Sequence, residues 1–182
     1  MHPQVISDEP LRIRPVANGD IEAIYQGCQD PEVQKWTVAI PVPYARTDAE
    51  WFVGENAPAA WAQDRAYIWA IEDPASSMFL GVIDLRPLGD GCSEVGYWVA
   101  AEARGRGVAT QALTAVCRFA FDTLGDDVVR WKAIVGNGAS RRVAERAGFG
   151  ISTPIRGLLN QRGVWVDGWM GTLLDGDPSP VG

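Results

Sequence analysis

Histidine, cysteine and positive charge are the scarce commodities of this 182-residue chain, and each scarcity removes a class of function. The lone histidine, His2, stands at the start of the sequence. That placement disfavours a Ser-His-Asp or Cys-His hydrolase and a histidine-rich metal site. Cys28, Cys92 and Cys117 are odd in number and form no Cys-x-x-Cys pair. Neither a disulfide framework nor a zinc site is indicated, and each thiol reads as a small buried hydrophobe. With 16 Lys and Arg against 23 Asp and Glu, the net charge is -7. That balance argues against nucleic acid as a main partner and slightly favours a cationic acceptor. No apolar run reaches the roughly 18 residues that suggest a membrane span, and no basic-then-apolar leader opens the chain, so the expectation is a cytoplasmic protein with no membrane partner. A Gly-x-x-x-x-Gly-Lys-Ser/Thr pattern is also missing, which disfavours a P-loop NTPase.

An apolar share of 47% with 21% charged residues is that of a globular chain long enough to bury a substantial core. One domain is expected over residues 11–174, between polar tails at 1–10 and 175–182. The stretch that organises it is Arg104-Gly105-Arg106-Gly107-Val108-Ala109-Thr110, between a strand-like run ending at Val99 and a helix-like run from Gln111 to Leu124. Glycines at 105 and 107 permit a tight turn and close approach to the amides. N–H groups then converge at a helix N-terminus, where unpaired donors and the positive end of the macrodipole suit a phosphate or pyrophosphate. Arg104 and Arg106 add charge-assisted contacts. A dinucleotide fingerprint fits poorly, because Thr110 stands where its third glycine belongs and the turn lies late in the chain.

The remaining pattern is mixed. Strands are expected at Leu11–Val16, Ala66–Glu72, Met78–Leu85, Glu94–Val99, Val128–Val135, near Gly150–Pro154 and at Val164–Thr172. Helices are expected from Asp20 to Cys28, around Pro31–Trp36, over Ala49–Ala62 and over Ser140–Arg146, in addition to the one after the glycine-rich turn. Thr47 or Asp48 is expected to cap the Ala49–Ala62 helix, with Thr47-x-x-Glu50 as a capping box, and Pro58 is expected to bend or end it early. Two prolines keep Thr37–Tyr44 extended. Hairpin-length connections predict a largely antiparallel sheet.

Arg104-x-x-Gly107-x-Ala109 resembles the acyl-CoA signature of the GNAT acetyltransferase superfamily, and Asn137-x-x-Ser140 before Ala147-Gly148-Phe149 resembles its second motif. Ile40–Tyr44, Asp48–Trp51 and Gly163–Leu174 look like the branch that includes ribosomal-protein alanine N-acetyltransferases. The resemblance covers Leu11 to Leu174. It implies an α/β (α+β) fold with a strongly twisted, mostly antiparallel sheet of about seven strands flanked by about four helices. It further implies acetyl-CoA as cosubstrate, no metal, an amine acceptor on a protein, peptide or small molecule, and a homodimer as one possible assembly.

The resemblance assigns roles residue by residue. Amides around Arg106–Thr110 hold the pyrophosphate, Trp98 and Val99 pair strand-like with the pantetheine arm, and Asn137 bonds to the same arm. Asn137 and Ser140 also suit plain helix capping, and the Asn137 side chain is expected to serve its two uses only at different times. Glu94 matches the position of a catalytic glutamate and is the first candidate for general base, with Asp84 and Asp167 behind it. Where many members carry a tyrosine general acid this chain has Ala144, which leaves Ser140, another hydroxyl or water. The oxyanion falls to a backbone N–H, with Val99 favoured. Of the eight tryptophans, Trp36 and Trp165, the latter close to Asp167, are candidates for shaping the amine site. The expected reaction moves an acetyl group from acetyl-CoA to a primary amine by direct attack on the thioester. The alternatives are an antibiotic or polyamine acetyltransferase, or an acyl-CoA-binding module with little catalysis.

Overall fold

A computed structural model describes residues 1–177. Among the described residues nine strands form one sheet, in the order β1-β2-β3-β4-β5-β6-β9-β7, with β8 also paired to β9. The strands are β1 (Ile6–Asp8), β2 (Leu11–Pro15), β3 (Tyr67–Asp73), β4 (Met78–Gly89), β5 (Cys92–Val99), β6 (Val128–Ile134), β7 (Gly150–Ile151), β8 (Ile155–Gln161) and β9 (Val164–Leu174). Each pairing is antiparallel except β5 with β6. The helices are α1 (Ile21–Gln29), α2 (Pro31–Trp36), α3 (Arg46–Trp51), α4 (Ala57–Ala62), α5 (Val108–Phe119) and α6 (Gly138–Arg146). None is long and apolar enough to cross a membrane among the described residues.

The period-2 alternation of the strands separates two cores. On β3, Tyr67, Trp69 and Ile71 face the α5 side, while Ile68 joins Ile24, Val53 and Val82 beneath α1, α3 and α4. Trp69 is fully buried and meets Trp61 and Phe119 edge-on, at centroid distances of 5.1 and 5.3 Å. Its indole N–H donates to the Gln4 carbonyl at 2.8 Å. Each such ring contributes about 2–3 kcal/mol through burial alone, and its polar edge is satisfied as burial requires.

Several boundaries differ from the sequence reading. Residues 6–8 belong to a strand rather than a tail: Ile6 pairs with Ile13 and Asp8 with Leu11, and Gln111 Nε2 holds the turn through the Asp8 and Glu9 carbonyls at 2.9 and 2.7 Å. Three residues carry too little alternation to announce a strand. Helix α3 begins at Arg46, and Asp48 accepts from the Ala45 N–H at 2.7 Å in place of the expected Thr47 box. Pro58 does not stop the helical run. The turn Phe52–Asn56 is a π-turn in which the Ala57 N–H reaches the Phe52 carbonyl, and that wider pairing accommodates a residue with no N–H. Helix α5 starts at Val108, three positions before the expected Gln111, because Gly107 already stands at its N-cap. Strand β8 went unread, since Gly157 (φ +61°) interrupts it and the register shifts between Ile155 and Leu159. Of the expected C-terminal tail, residues 178–182 lie outside the described residues.

The feature that positions a site is the β5–β6 pair. Cys92–Val95 ladder with Val128–Trp131, and beyond those residues the two parallel strands are no longer paired. β5 runs on to the glycine-rich turn and α5, β6 to Gly136-Asn137 and α6. Two helix N-termini therefore follow the carboxyl ends of two diverging strands, the place where open α/β sheets bind ligands.

Candidate active site

A cavity of about 880 Å³ occupies this divergence and is lined from both sides of the sheet. At its rim Gly105 and Gly107 stand at φ +73° and +79°. Nothing lies within 4 Å of where a Cβ would stand on either, so backbone conformation rather than crowding calls for glycine there. Gln111 N bonds back to the Gly107 carbonyl at 3.0 Å, which leaves the amides of Val108, Ala109 and Thr110 as the orphan donors of the first turn of α5. Gly105, Gly107, Val108, Ala109 and Thr110 all line the cavity, and Arg106 does not.

The arginines depart from expectation. Arg104 reaches Asp30 at 2.6 Å and the Val99 carbonyl at 3.3 Å, so its guanidinium ties the turn to the α1–α2 junction. Arg106 is exposed outside the cavity. The cations that do line it without an ion-pair partner among the described residues are Arg142 and Arg146 of α6, which the sequence reading left unassigned.

On β5, Ala100 N–H donates to the Leu80 carbonyl at 2.8 Å, and in antiparallel alternation this turns the N–H and C=O of Trp98 toward β4. The Trp98 ring packs on Phe79, 5.9 Å between centroids, and over Gly27, where a Cβ would stand 2.4 Å from the ring. Trp98 thus contributes packing, while the main-chain groups of Val99 face the gap. Asn137 Oδ1 caps α6 by accepting from Ser140 N at 3.1 Å. Its amide Nδ2 has no protein partner among the described residues, so the cap and a donation into the cavity are compatible at one time.

Ser140 sits beside a phenol that the sequence reading missed. Tyr97 Oη lies 3.0 Å from Ser140 Oγ and 3.2 Å from the Ser140 carbonyl, and Trp131 Nε1 donates to Ser140 Oγ at 3.2 Å. Burial pushes the Tyr97 hydroxyl up to about 12, against the lowering effect of its bonds to Ser140 and Trp131, so it is neutral at pH 7. Ala144, at the position of the familiar tyrosine, is fully buried.

The opposite face of β4 and β5 carries a charge cluster. Glu94 is held by Lys132 Nζ at 2.7 Å and by Arg86 Nη2 at 3.3 Å. Asp84 pairs across the ladder with Gly96 and lies 3.3 Å from Arg86 Nε. Its Oδ1 is buried with no hydrogen-bond partner, although the side chain as a whole remains 28% exposed. Burial lifts its carboxyl to about 6, opposed by Arg86 and reinforced by the charge of Glu94.

Trp36 lines the cavity, with its indole N–H on Glu32 Oε2 at 2.9 Å and its ring against Gly136. The expected companions lie elsewhere. Trp165 is 66% exposed on β9, and Asp167 Oδ1 accepts from Gly157 N at 3.0 Å inside the β8–β9 hairpin, neither lining the cavity. Tyr44, Trp51 and Phe52 supply the aromatic wall instead. The hairpin acts through its tip: Gln161 Nε2 donates to the Lys35 and Thr37 carbonyls at 2.8 and 3.1 Å, and Arg162 to those of Ile40, Thr37 and Gln34. It thereby fixes the Thr37–Pro41 segment that closes the cavity. Among the described residues no three His, Cys, Asp or Glu side chains converge to hold a metal ion.

Known proteins share this fold and part of this sequence. The Bacillus subtilis (strain 168) protein named "Putative ribosomal N-acetyltransferase YdaF" is 44% identical over 57 residues, a match spanning 31% of this chain and 31% of that protein. The fold matches that of Mycobacterium smegmatis RimJ in complex with CoA-disulfide at a TM-score of 0.84 and 22% identity, covering 99% of this chain and 94% of that one. It also matches the Microcin C7 self immunity acetyltransferase MccE, solved with acetyl-CoA and AMP, at a TM-score of 0.81 and 19% identity over 92% and 93% of the two chains. Residues 10–150 match the family model described as "Acetyltransferase (GNAT) domain". With the glycine-rich turn, the parted strands and the Asn137–Ser140 cap all inside that span, the chain belongs to the GNAT acetyltransferase family.

Proposed function

We propose that this protein is an acetyl-CoA-dependent N-acetyltransferase that moves an acetyl group to a primary amine, with a protein N-terminus as the favoured acceptor and a small-molecule amine as the alternative. The observation that carries the reading is that one continuous cavity opens on both sides of the parted β5–β6 pair. Orphan amides and the Arg142 and Arg146 guanidiniums, without an ion-pair partner among the described residues, suit the phosphates of the donor from the α5–α6 side. Carboxylates and aromatic rings on the other side suit a cationic amine.

In the reading, donor and acceptor meet where the strands diverge. The Val99 N–H supports the developing oxyanion, and the Ser140 hydroxyl, backed by Tyr97, returns a proton to the departing thiolate. The name of the Bacillus subtilis relative favours a ribosomal protein as acceptor. Cytoplasmic location and homodimeric assembly accompany the proposal on family grounds, and sedimentation tests the latter. The central test is calorimetric titration with acetyl-CoA, followed by thiol release with a free-amine peptide supplied. Saturable binding with amine-dependent thiol release is expected. Binding without release would leave a CoA-binding module, and no binding would remove the reading.

A further inference from the structure

Four carboxylates line the cavity: Glu32 accepts from the Trp36 indole, Asp48 from the Ala45 N–H, and the two on the strands, Asp84 and Glu94, divide the labour through their surroundings. Glu94 spends its oxygens on two cations, Lys132 at 2.7 Å and Arg86 at 3.3 Å, so both its charge and its orientation are committed. A proton accepted there would have to displace an ammonium already in contact. Asp84 has a single cation contact, Arg86 Nε 3.3 Å from its buried Oδ1, too poorly aligned to be a hydrogen bond, and a side chain still partly open to the cavity. The residue across the ladder, Gly96, keeps that space clear: a Cβ on it would stand 3.2 Å from Asp84 Oδ2 and 3.1 Å from Arg86 Nη2. A carboxylate held by one ion pair without a hydrogen bond, in a cleft able to hold a cationic amine, is freer to take a proton than one gripped by two cations.

We propose, on the N-acetyltransferase reading above, that Asp84 rather than Glu94 is the general base, and that Arg86, Glu94 and Lys132 hold and tune it. The acceptor ammonium gives one proton to the Asp84 carboxylate. The freed nitrogen lone pair attacks the thioester carbonyl carbon, forming the C–N bond. Collapse breaks the C–S bond, and the second nitrogen proton passes by way of the Ser140 hydroxyl to the departing thiolate. The proton on Asp84 leaves to solvent through the open cavity, so the balance is ammonium plus acetyl-CoA to amide, CoA thiol and one proton.

The charged neighbours fix the pH response. Arg86 on its own strand lowers the affinity of Asp84 for a proton, and Glu94 on β5 raises it. Lys132 on β6 touches Glu94, and the Cys28 thiol and Tyr44 hydroxyl across the cavity are both raised by burial and neutral. A base protonated near pH 6 therefore governs the acidic limb of kcat/KM.

The test uses Asp84→Asn and Glu94→Gln with acetyl-CoA and synthetic peptides bearing a free N-terminal alanine or serine. Asp84→Asn is expected to bind acetyl-CoA as the wild type does and to lose about 100-fold or more in kcat/KM near pH 7. Its residual rate should rise tenfold per pH unit up to the pKa of the peptide amine, since only acceptor already deprotonated can react, whereas the wild type levels off above about pH 6. Glu94→Gln should keep the acidic limb and shift it to lower pH, because the charge that raises Asp84 is gone. An Asp84→Asn protein that binds acetyl-CoA, transfers at the wild-type rate and retains the limb overturns the assignment alone. A wild type that does not bind acetyl-CoA overturns the N-acetyltransferase reading with it.

Discussion

Tyr97 and Ser140 meet hydroxyl to hydroxyl at 3.0 Å, one carried by β5 and the other by the first turn of α6. Because Trp131 also donates to Ser140 Oγ, the serine hydrogen is directed at Tyr97 or into the cavity. If this pair returns the proton to the leaving thiolate, Ser140→Ala should lower kcat by about 10- to 100-fold with little change in acetyl-CoA affinity. Tyr97→Phe should cost less, since Trp131 still orients the serine. Steady-state kinetics beside calorimetry on both variants separates the two effects.

Asp84 links function to stability. Its carboxyl titrates higher in the fold, at about 6, than the usual carboxylate range of an unfolded chain. The folded state therefore binds the extra proton between those values, and stability falls as pH rises through that window and levels off above about 6. Replacing the carboxylate with an uncharged amide removes this loss. Denaturant unfolding at pH 4 and pH 7.5 should show Asp84→Asn gaining ~1–3 kcal/mol on the wild type across the interval. An unchanging difference would mean that the carboxylate is solvated.

Gly27 has no room for a methyl group, although a helix interior ordinarily prefers alanine by about 1 kcal/mol. The Trp98 ring stands 2.4 Å from the position its Cβ would take. Gly27→Ala should therefore destabilise the protein by about 1–3 kcal/mol despite the better helix former. By pushing Trp98 it should also disturb the neighbouring Val99 and weaken acetyl-CoA binding, both readable in one thermal-shift titration.

Arg162 grips three carbonyls of the α2 end and the segment after it. Arg162→Ala should release that segment without touching the donor side. The expected result is an acceptor KM raised about 5- to 30-fold, the equivalent of ~1–2 kcal/mol in charge-assisted bonds, with acetyl-CoA affinity unchanged.

Much of this was legible in the sequence because it is local. The Arg104–Thr110 turn, the apolar face of α5 and the Asn137–Ser140 cap depend on residues within one or two helical turns of each other, and the structure has them where periodicity and glycine placement put them. What stayed hidden depends on pairing at long range. Arg104 is claimed by Asp30, 74 positions away, and Tyr97 finds Ser140 43 positions later. Neither partner leaves a trace in the local pattern. Alternation on β9 could not say that Trp165 and Asp167 lie outside the cavity, since period 2 gives two faces but not which one meets the site. The contact of Lys132 with Glu94 was equally hidden, since its reach across β5 and β6 exists only once those strands run in parallel.

Beyond Val95 and Trp131 the sheet holds bare backbone edges in its interior. An unpaired edge on the rim of a sheet is a template for association with other chains. Here β4 flanks one edge and β9 the other, so the unfilled rungs look at each other rather than outward. The protein thus keeps a strip of main chain outside the sheet ladder ready for a guest while facing it inward, away from its neighbours in solution.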